Sequence, residues 1–183
     1  MGRGWHAAIE RERHLCLVAN RWGHRESVLR CFAVASRLGD GAFWYALMAG
    51  VVLLDGTAGA LAAAHMAATG AAALALYRLL KCHTRRPRPF AGDCRIRPLV
   101  RPLDEFSFPS GHTLHAVAFT IVALAHYPGL WPLLVPFAAS VGASRVVLGL
   151  HYPSDVLAAA GLGCVLGAIS LLLAAGLPIS IPG

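Results

Sequence analysis

Charge is what this sequence has least of. Asp, Glu, Lys and Arg make up 14% of its 183 residues, while 57% are hydrophobic; a soluble domain carries about 25% charged residues. An ordinary water-soluble globule is therefore excluded. Acidic residues are scarcer than basic ones, nine against sixteen, leaving a net charge of +7. The five cysteines (Cys16, Cys31, Cys82, Cys94, Cys164) show no CxxC spacing, which argues against a zinc site. Cys82 and Cys94 share the largest polar loop and would pair only where that loop meets an oxidising compartment, so free thiols are the simpler expectation. Arg3, Arg11 and Arg13 open the chain, but no apolar stretch of leader length and no small-residue cleavage site follows, so no cleavable signal peptide is expected. There is no internal repeat and no low-complexity segment beyond an Ala bias. The missing inverted repeat and the few spans argue against a transporter. No metal, cofactor or nucleic-acid partner is expected.

What the chain has instead is long apolar runs. Gly41–Leu54, Thr57–Leu80, Thr113–Tyr127, Leu130–Leu148 and Val156–Pro178 are nearly free of charge. Three of them reach the roughly 20 residues a helix needs to cross the hydrocarbon core. The reading is an all-α, polytopic transmembrane helix bundle of about five spans, with one domain over 41–178 and a catalytic loop at 81–112. Asp55-Gly56 turns the first pair of spans into a hairpin, and Tyr127-Pro128-Gly129 turns the second. Gly163 and Gly167 form a GxxxG pattern, read as internal helix packing. Residues 1–40 form a basic segment with Trp5, Trp22 and several aliphatic residues interleaved. A sixth span there would bury Arg21, Arg25, Glu26 and Arg30, at about 2.5–3.5 kcal/mol each on insertion scales for Arg and Lys. An interfacial amphipathic helix costs less.

Five spans bring three scattered clusters to one membrane surface. Lys81 ends the second span, and Arg88-Pro89 lies in the loop that follows. Pro109-Ser110-Gly111-His112 opens the third span. Ser144-Arg145 closes the fourth, with His151 and Asp155 at the start of the fifth. A phosphate monoester carries up to two negative charges, and Lys81, Arg88 and Arg145 supply cations to meet them, arginine with a bidentate fork. Ser110 and Gly111 sit where a helix begins, and helix N-termini bind anions. Asp155 at His151 + 4 is placed to accept a hydrogen bond from one imidazole nitrogen and leave the other a stronger nucleophile. His112 is then free to act as general acid and later as base. His65 lies mid-span and His115 one turn beyond His112; His83, Arg85 and Arg86 are candidates for lipid phosphates. Asp104 and Glu105 are read as balancing the arginines.

K-x6-R-P (Lys81 to Pro89), P-S-G-H (Pro109 to His112) and S-R-x5-H-x3-D (Ser144 to Asp155) resemble the three-part signature of the type 2 phosphatidic acid phosphatase superfamily. That superfamily includes lipid phosphate phosphatases and vanadium haloperoxidases. The resemblance implies His151 as nucleophile forming a phosphohistidine, Asp155 as its orienting partner and His112 as proton donor. It implies Lys81, Arg88, Ser110, Gly111 and Arg145 as phosphate ligands, and a reaction without a metal. The expected function is hydrolysis of a lipid phosphate, among phosphatidic acid, phosphatidylglycerophosphate and undecaprenyl diphosphate, in a bacterial inner membrane. The alternatives are a lipid phosphotransferase, haloperoxidase chemistry with bound vanadate, against which membrane embedding argues, and a non-catalytic lipid-binding protein. All sixteen Lys and Arg residues fall on one side of a five-span bundle, and the other side has only Asp55. The positive-inside rule puts that side in the cytoplasm, whereas the resemblance implies the outer face; both faces stay open.

Overall fold

The computed structural model of the chain describes residues 3–176, so residues 1–2 of the N-terminal segment and 177–178 of the last expected span lie outside it. The described residues form helices and connecting loops, with no strand among them. They are α1 (Arg3–Gly23), α2 (Glu26–Arg37), a π-helical turn (Leu38–Ala42), α3 (Phe43–Thr84), the single-turn α4 (Pro89–Gly92), α5 (Gly111–His126), α6 (Trp131–Val147) and α7 (Pro153–Ala175). The expected all-α bundle is present.

α3 is two helices joined by a reversal. Gly56 adopts φ 54° and ψ −120°, in the positive-φ region that favours glycine. A Cβ placed on Gly59 would collide with the Val51 carbonyl oxygen, whereas residues eight apart in a straight helix are about 12 Å apart. Trp44 and Met66 share one buried cluster with Phe119 and Leu134. The hairpin expected at Asp55-Gly56 is therefore formed, and Asp55 accepts a hydrogen bond from the Tyr127 hydroxyl at 2.8 Å at that end of the bundle.

The span count matches the expectation only roughly. Among the described residues three helical stretches, Glu26–Gly92, Pro128–Val147 and Pro153–Ala175, are long and apolar enough to cross a membrane, and the first contains both arms of the hairpin. α5, with 16 residues, is about 24 Å long, short for a span. It is the central helix, packed against α3, α6 and α7, with eight of its residues buried. α2, with 12 residues, is too short to cross by itself.

α7 crosses α5 on two of its glycines. A Cβ on Gly163 would meet the Leu114 carbonyl at 2.9 Å, and one on Gly167 would meet Ile121 Cγ2 at 2.9 Å. Small residues allow this approach, and in lipid such packing is the main attraction between helices. Gly163→Val is expected to destabilise the bundle by about 1–3 kcal/mol through overpacking. Gly161→Ala is the control, since nothing lies within 4 Å of its added Cβ. Melting temperatures in one detergent should separate the two variants; equal melting would contradict the packing role.

α1 and α2 pack against α6 at its charged end. Cys16 and Leu17 join Ile96 in a small core with Phe90, Val146 and Tyr152. Asn20 Nδ2 donates to the Arg97 carbonyl at 2.9 Å and the Val147 carbonyl at 3.2 Å, and its Oδ1 accepts from the Arg97 N–H at 3.0 Å. The basic N-terminal segment thus braces the polar loop. His65, mid-span, bonds side chains rather than a backbone carbonyl: His126 at 3.1 Å and Ser170 at 2.7 Å.

Candidate functional site

A cavity of about 850 Å³ opens at the charged end of the bundle, and it is lined by Lys81, Arg88, Gly111, His112, Arg145 and His151. The three sequence clusters therefore converge. Trp44, Tyr45, Met48, Leu74 and Phe119 continue the same cavity as an apolar wall. Ser110 and Asp155 are fully buried behind it.

Each cation is held by a different element. Lys81 sits near the end of α3, 7% exposed, with its Nζ 2.5 Å from Asp104 Oδ2. Arg88 precedes α4 and is 2% exposed. Its Nε donates to the Asp104 carbonyl at 3.0 Å, its Nη2 to Asp104 Oδ1 at 2.7 Å and its Nη1 to the Leu150 carbonyl at 2.8 Å. Arg145, in the last turn of α6, is 3% exposed and donates from Nη1 to Ser36 Oγ of α2. The Arg145 Nε is buried with no partner. Buried donors are almost always satisfied, so an unpaired guanidinium N–H on a residue that lines the cavity is a donor still in want of a partner.

His151 lies in the turn between α6 and α7, and its N–H donates to the Arg145 carbonyl at 3.0 Å. Its Nε2 is 3.5 Å from Arg88 Nη1, on the side of the cations. Its Nδ1 is 3.7 Å from Asp155 Oδ2, an ion-pair distance and not the hydrogen bond expected from the spacing. The reason is that Asp155 is already engaged. Its Oδ1 accepts from Arg86 Nη1 at 2.6 Å, and its Oδ2 from the Tyr152 N–H at 2.8 Å. Burial pushes the His151 imidazole down to about 4, helped by Arg145 and Arg88 and opposed by Asp155.

Ser110 caps α5: its Oγ lies 2.9 Å from Thr113 Oγ1, and its own N–H donates to the Asp155 carbonyl at 3.3 Å. The seryl groups are thus spent on the helix end and on α7, which leaves the Gly111 and His112 N–H groups, without intrahelical acceptors, for an anion. His112 Nε2 stands 3.4 Å from Asp40 Oδ1. His115 lines the cavity but bonds the Gly111 and Gly70 carbonyls, at 2.8 and 3.2 Å.

Five contacts to these residues were not anticipated. Asp40 comes from the π-helical turn, where Gly41 takes φ 128°. Ser36 holds Arg145. Arg86, expected at lipid phosphates, turns inward to Asp155 and Ser154 and pairs with Glu12 at 2.8 Å. Glu12 also accepts the Ser154 N–H at 2.9 Å. Cys16 Sγ lies 3.9 Å from the His151 carbonyl. Burial, then Glu12 and Asp155, push that thiol up to about 12, so it stays protonated. All five cysteines are free, Cys82 and Cys94 included. Among the described residues no group of three or more His, Cys, Asp or Glu side chains is arranged to hold a metal ion.

A described family model, the PAP2 superfamily, matches residues 58–177, the stretch that holds all three sequence clusters. The chain belongs to the PAP2 superfamily. Among PAP2 relatives, it is 35% identical over 100 residues to undecaprenyl-diphosphatase BcrC of Bacillus subtilis, covering 54% of this chain and 51% of that one. It is 36% identical over 91 residues to decaprenylphosphoryl-5-phosphoribose phosphatase of Mycobacterium tuberculosis, covering 50% and 49%. The chain thus spans about half the length of the curated relatives it matches. The PAP2 fold extends further. A transmembrane PAP2-type phosphatidylglycerolphosphate phosphatase from Bacillus subtilis superposes with a TM-score of 0.75 at 25% identity, covering 93% of this chain and 88% of that one. LpxE of Aquifex aeolicus gives the same TM-score and identity, covering 87% and 93%.

Proposed function

We propose that this PAP2 protein is an integral-membrane lipid phosphate phosphatase working through a phosphohistidine on His151. The observation that carries the reading is that His151 Nε2 faces Arg88, at 3.5 Å, in a cavity whose wall also holds Lys81, Arg145 and His112. Lys81, Arg88, Arg145 and the first N–H groups of α5, at Gly111 and His112, cradle the phosphoryl oxygens, with Ser110 fixing that helix end. His151 Nε2 attacks phosphorus, and the bond to the lipid or lipid-phosphate oxygen breaks. His112 gives that oxygen a proton. Water then attacks the phosphohistidine with His112 taking its proton, and inorganic phosphate leaves. Asp155 restrains His151 through charge and through the turn that both residues share.

The apolar wall beside the cations suits a lipid tail, which supports a lipid phosphomonoester or diphosphate over a soluble one. The relatives' names point to polyprenyl phosphates and diphosphates, and to phosphatidylglycerophosphate as with phosphatidylglycerophosphatase B of Escherichia coli, 35% identical over 77 residues. All these relatives are bacterial, which supports a bacterial inner membrane as the location. The test is phosphate release by purified protein in detergent with EDTA, on undecaprenyl diphosphate, phosphatidic acid and phosphatidylglycerophosphate. Release from at least one that is lost in His151→Ala is expected; release unchanged in that variant would refute the mechanism.

The reaction needs neutral His151, and its position below the ordinary histidine range has a visible sign. An imidazole held down to about 4 stays neutral as pH falls through 6.5, and protonates only near 4. NMR titration of labelled histidines, with His151 assigned from its absence in His151→Asn, should show a midpoint well under 6. A midpoint at 6.5 or higher in the free protein would contradict the buried, cation-flanked site.

A further inference from the structure

Two of the three site cations already have a carboxylate on them. Asp104 bridges Lys81 Nζ, at 2.5 Å, and Arg88 Nη2, at 2.7 Å, with its two oxygens. Arg88 Nε adds a bond to the Asp104 carbonyl at 3.0 Å. The Nε–Nη2 edge of a guanidinium is a fork that takes phosphate oxygens in bidentate fashion, and here Asp104 takes it whole. The residue lies in the 93–110 loop, lines the cavity and is only partly exposed. Burial alone would raise its carboxyl, but Lys81 and Arg88 hold it below the ordinary range, so it is charged at neutral pH.

We infer that Asp104 is a tethered stand-in for phosphate, and that it makes the site selective for dianionic phosphate groups over the monoanionic phosphodiesters of bulk membrane lipid. The inference rests on the phosphatase reading and deepens it by naming what the site rejects. A bilayer presents phosphodiester headgroups at very high local concentration, each with one negative charge on phosphorus. A bare site with Lys81, Arg88 and Arg145 would hold them without reacting usefully. Asp104 carries the same single charge and competes intramolecularly, at the effective concentration that a short tether confers. A diester gains nothing by displacing it. A monoester or diphosphate can bring a second charge, its last ionisation lying near pH 6, and offers more oxygens. It can engage Lys81, Arg88 and Arg145 together, all of which line the cavity. Asp104 must then leave the cations, which its place on a loop allows.

The test compares wild type, Asp104→Asn and Asp104→Glu, purified in uncharged detergent micelles. Inorganic phosphate binding is measured by calorimetry, then repeated with phosphatidylglycerol, a monoanionic diester, in the micelles. Removing a competing charged partner should tighten phosphate binding to Asp104→Asn by about tenfold or more. Phosphatidylglycerol should compete with phosphate in Asp104→Asn and leave wild type unaffected. Asp104→Glu, which keeps the charge, should behave as wild type, which a loss of loop structure would not reproduce. Phosphate bound equally or more weakly by Asp104→Asn would overturn the role of Asp104 and leave the phosphatase reading standing. So would equal competition by phosphatidylglycerol in all three. No phosphate binding to any of them would overturn the anion site, and this inference with it.

Discussion

Replacing His151 with alanine is expected to reduce lipid-phosphate turnover by at least about 10⁴-fold, the scale seen when a covalent nucleophile is removed, while the protein stays folded. The backbone of this turn is held by groups other than the imidazole. The His151 N–H is held by the Arg145 carbonyl, its carbonyl faces Cys16, and its Nδ1 has no hydrogen-bond partner. The nearby cations remain in the variant, so phosphate should still bind. Phosphate release and phosphate binding, measured on the same preparation, separate the two effects. His151→Asn, closer in volume, should be equally inactive. Turnover within about tenfold of wild type in either variant, well under the loss a nucleophile implies, would remove His151 from the nucleophile role.

The second large effect is expected at Arg145. Arg145→Lys should lower kcat/KM by about 10²–10³-fold, the loss typical of removing one preorganised transition-state donor, although the charge is kept. The guanidinium spans two positions: Nη1 is anchored on Ser36, and the buried Nε has no partner, while the residue lines the cavity. A lysine ammonium is a single point charge on a flexible stem and cannot hold both positions. Ser36→Ala should show a smaller loss in the same direction, because it frees the anchor and keeps the donor. Phosphate-release kinetics for both variants check this. Near-wild-type kcat/KM in Arg145→Lys would mean that charge alone suffices there.

The parts of this molecule that were readable from sequence are those written in local pattern. Apolar runs locate the hairpin of α3 and the helices α6 and α7, and Asp55-Gly56 locates the reversal, because a break between two such runs has few other meanings. With the membrane as a ruler, Lys81, His112, Arg145 and His151 fall at one surface whatever their sequence separation. Contacts between distant, non-periodic residues were not readable. Glu12, Ser36 and Asp40 are polar residues in a basic segment, and nothing nearby distinguishes a side chain that reaches the cavity from one that meets solvent. Arg86 sits between motif positions in a run of arginines, and only the three-dimensional position of Asp155 shows which way it points. The expected His151–Asp155 hydrogen bond illustrates the same limit: the i, i+4 spacing puts the two groups near each other, but Arg86 and the Tyr152 N–H decide where the carboxylate looks. Asp104 reads in the sequence as charge balance, and its bridging of Lys81 and Arg88 is visible only once the loop is folded.

The match to the PAP2 family begins at residue 58, yet the side chains that hold its signature residues in place begin at Glu12. Glu12 steadies Arg86 and the start of α7, Ser36 anchors Arg145, and Asp40 stands against His112. The family segment therefore carries only part of its own jig. Grafted onto a different N-terminal segment, it would keep every signature residue and lose the contacts that Glu12, Ser36 and Asp40 make. Conversely, changes confined to the first forty residues can retune the reaction without touching any residue by which the family is known.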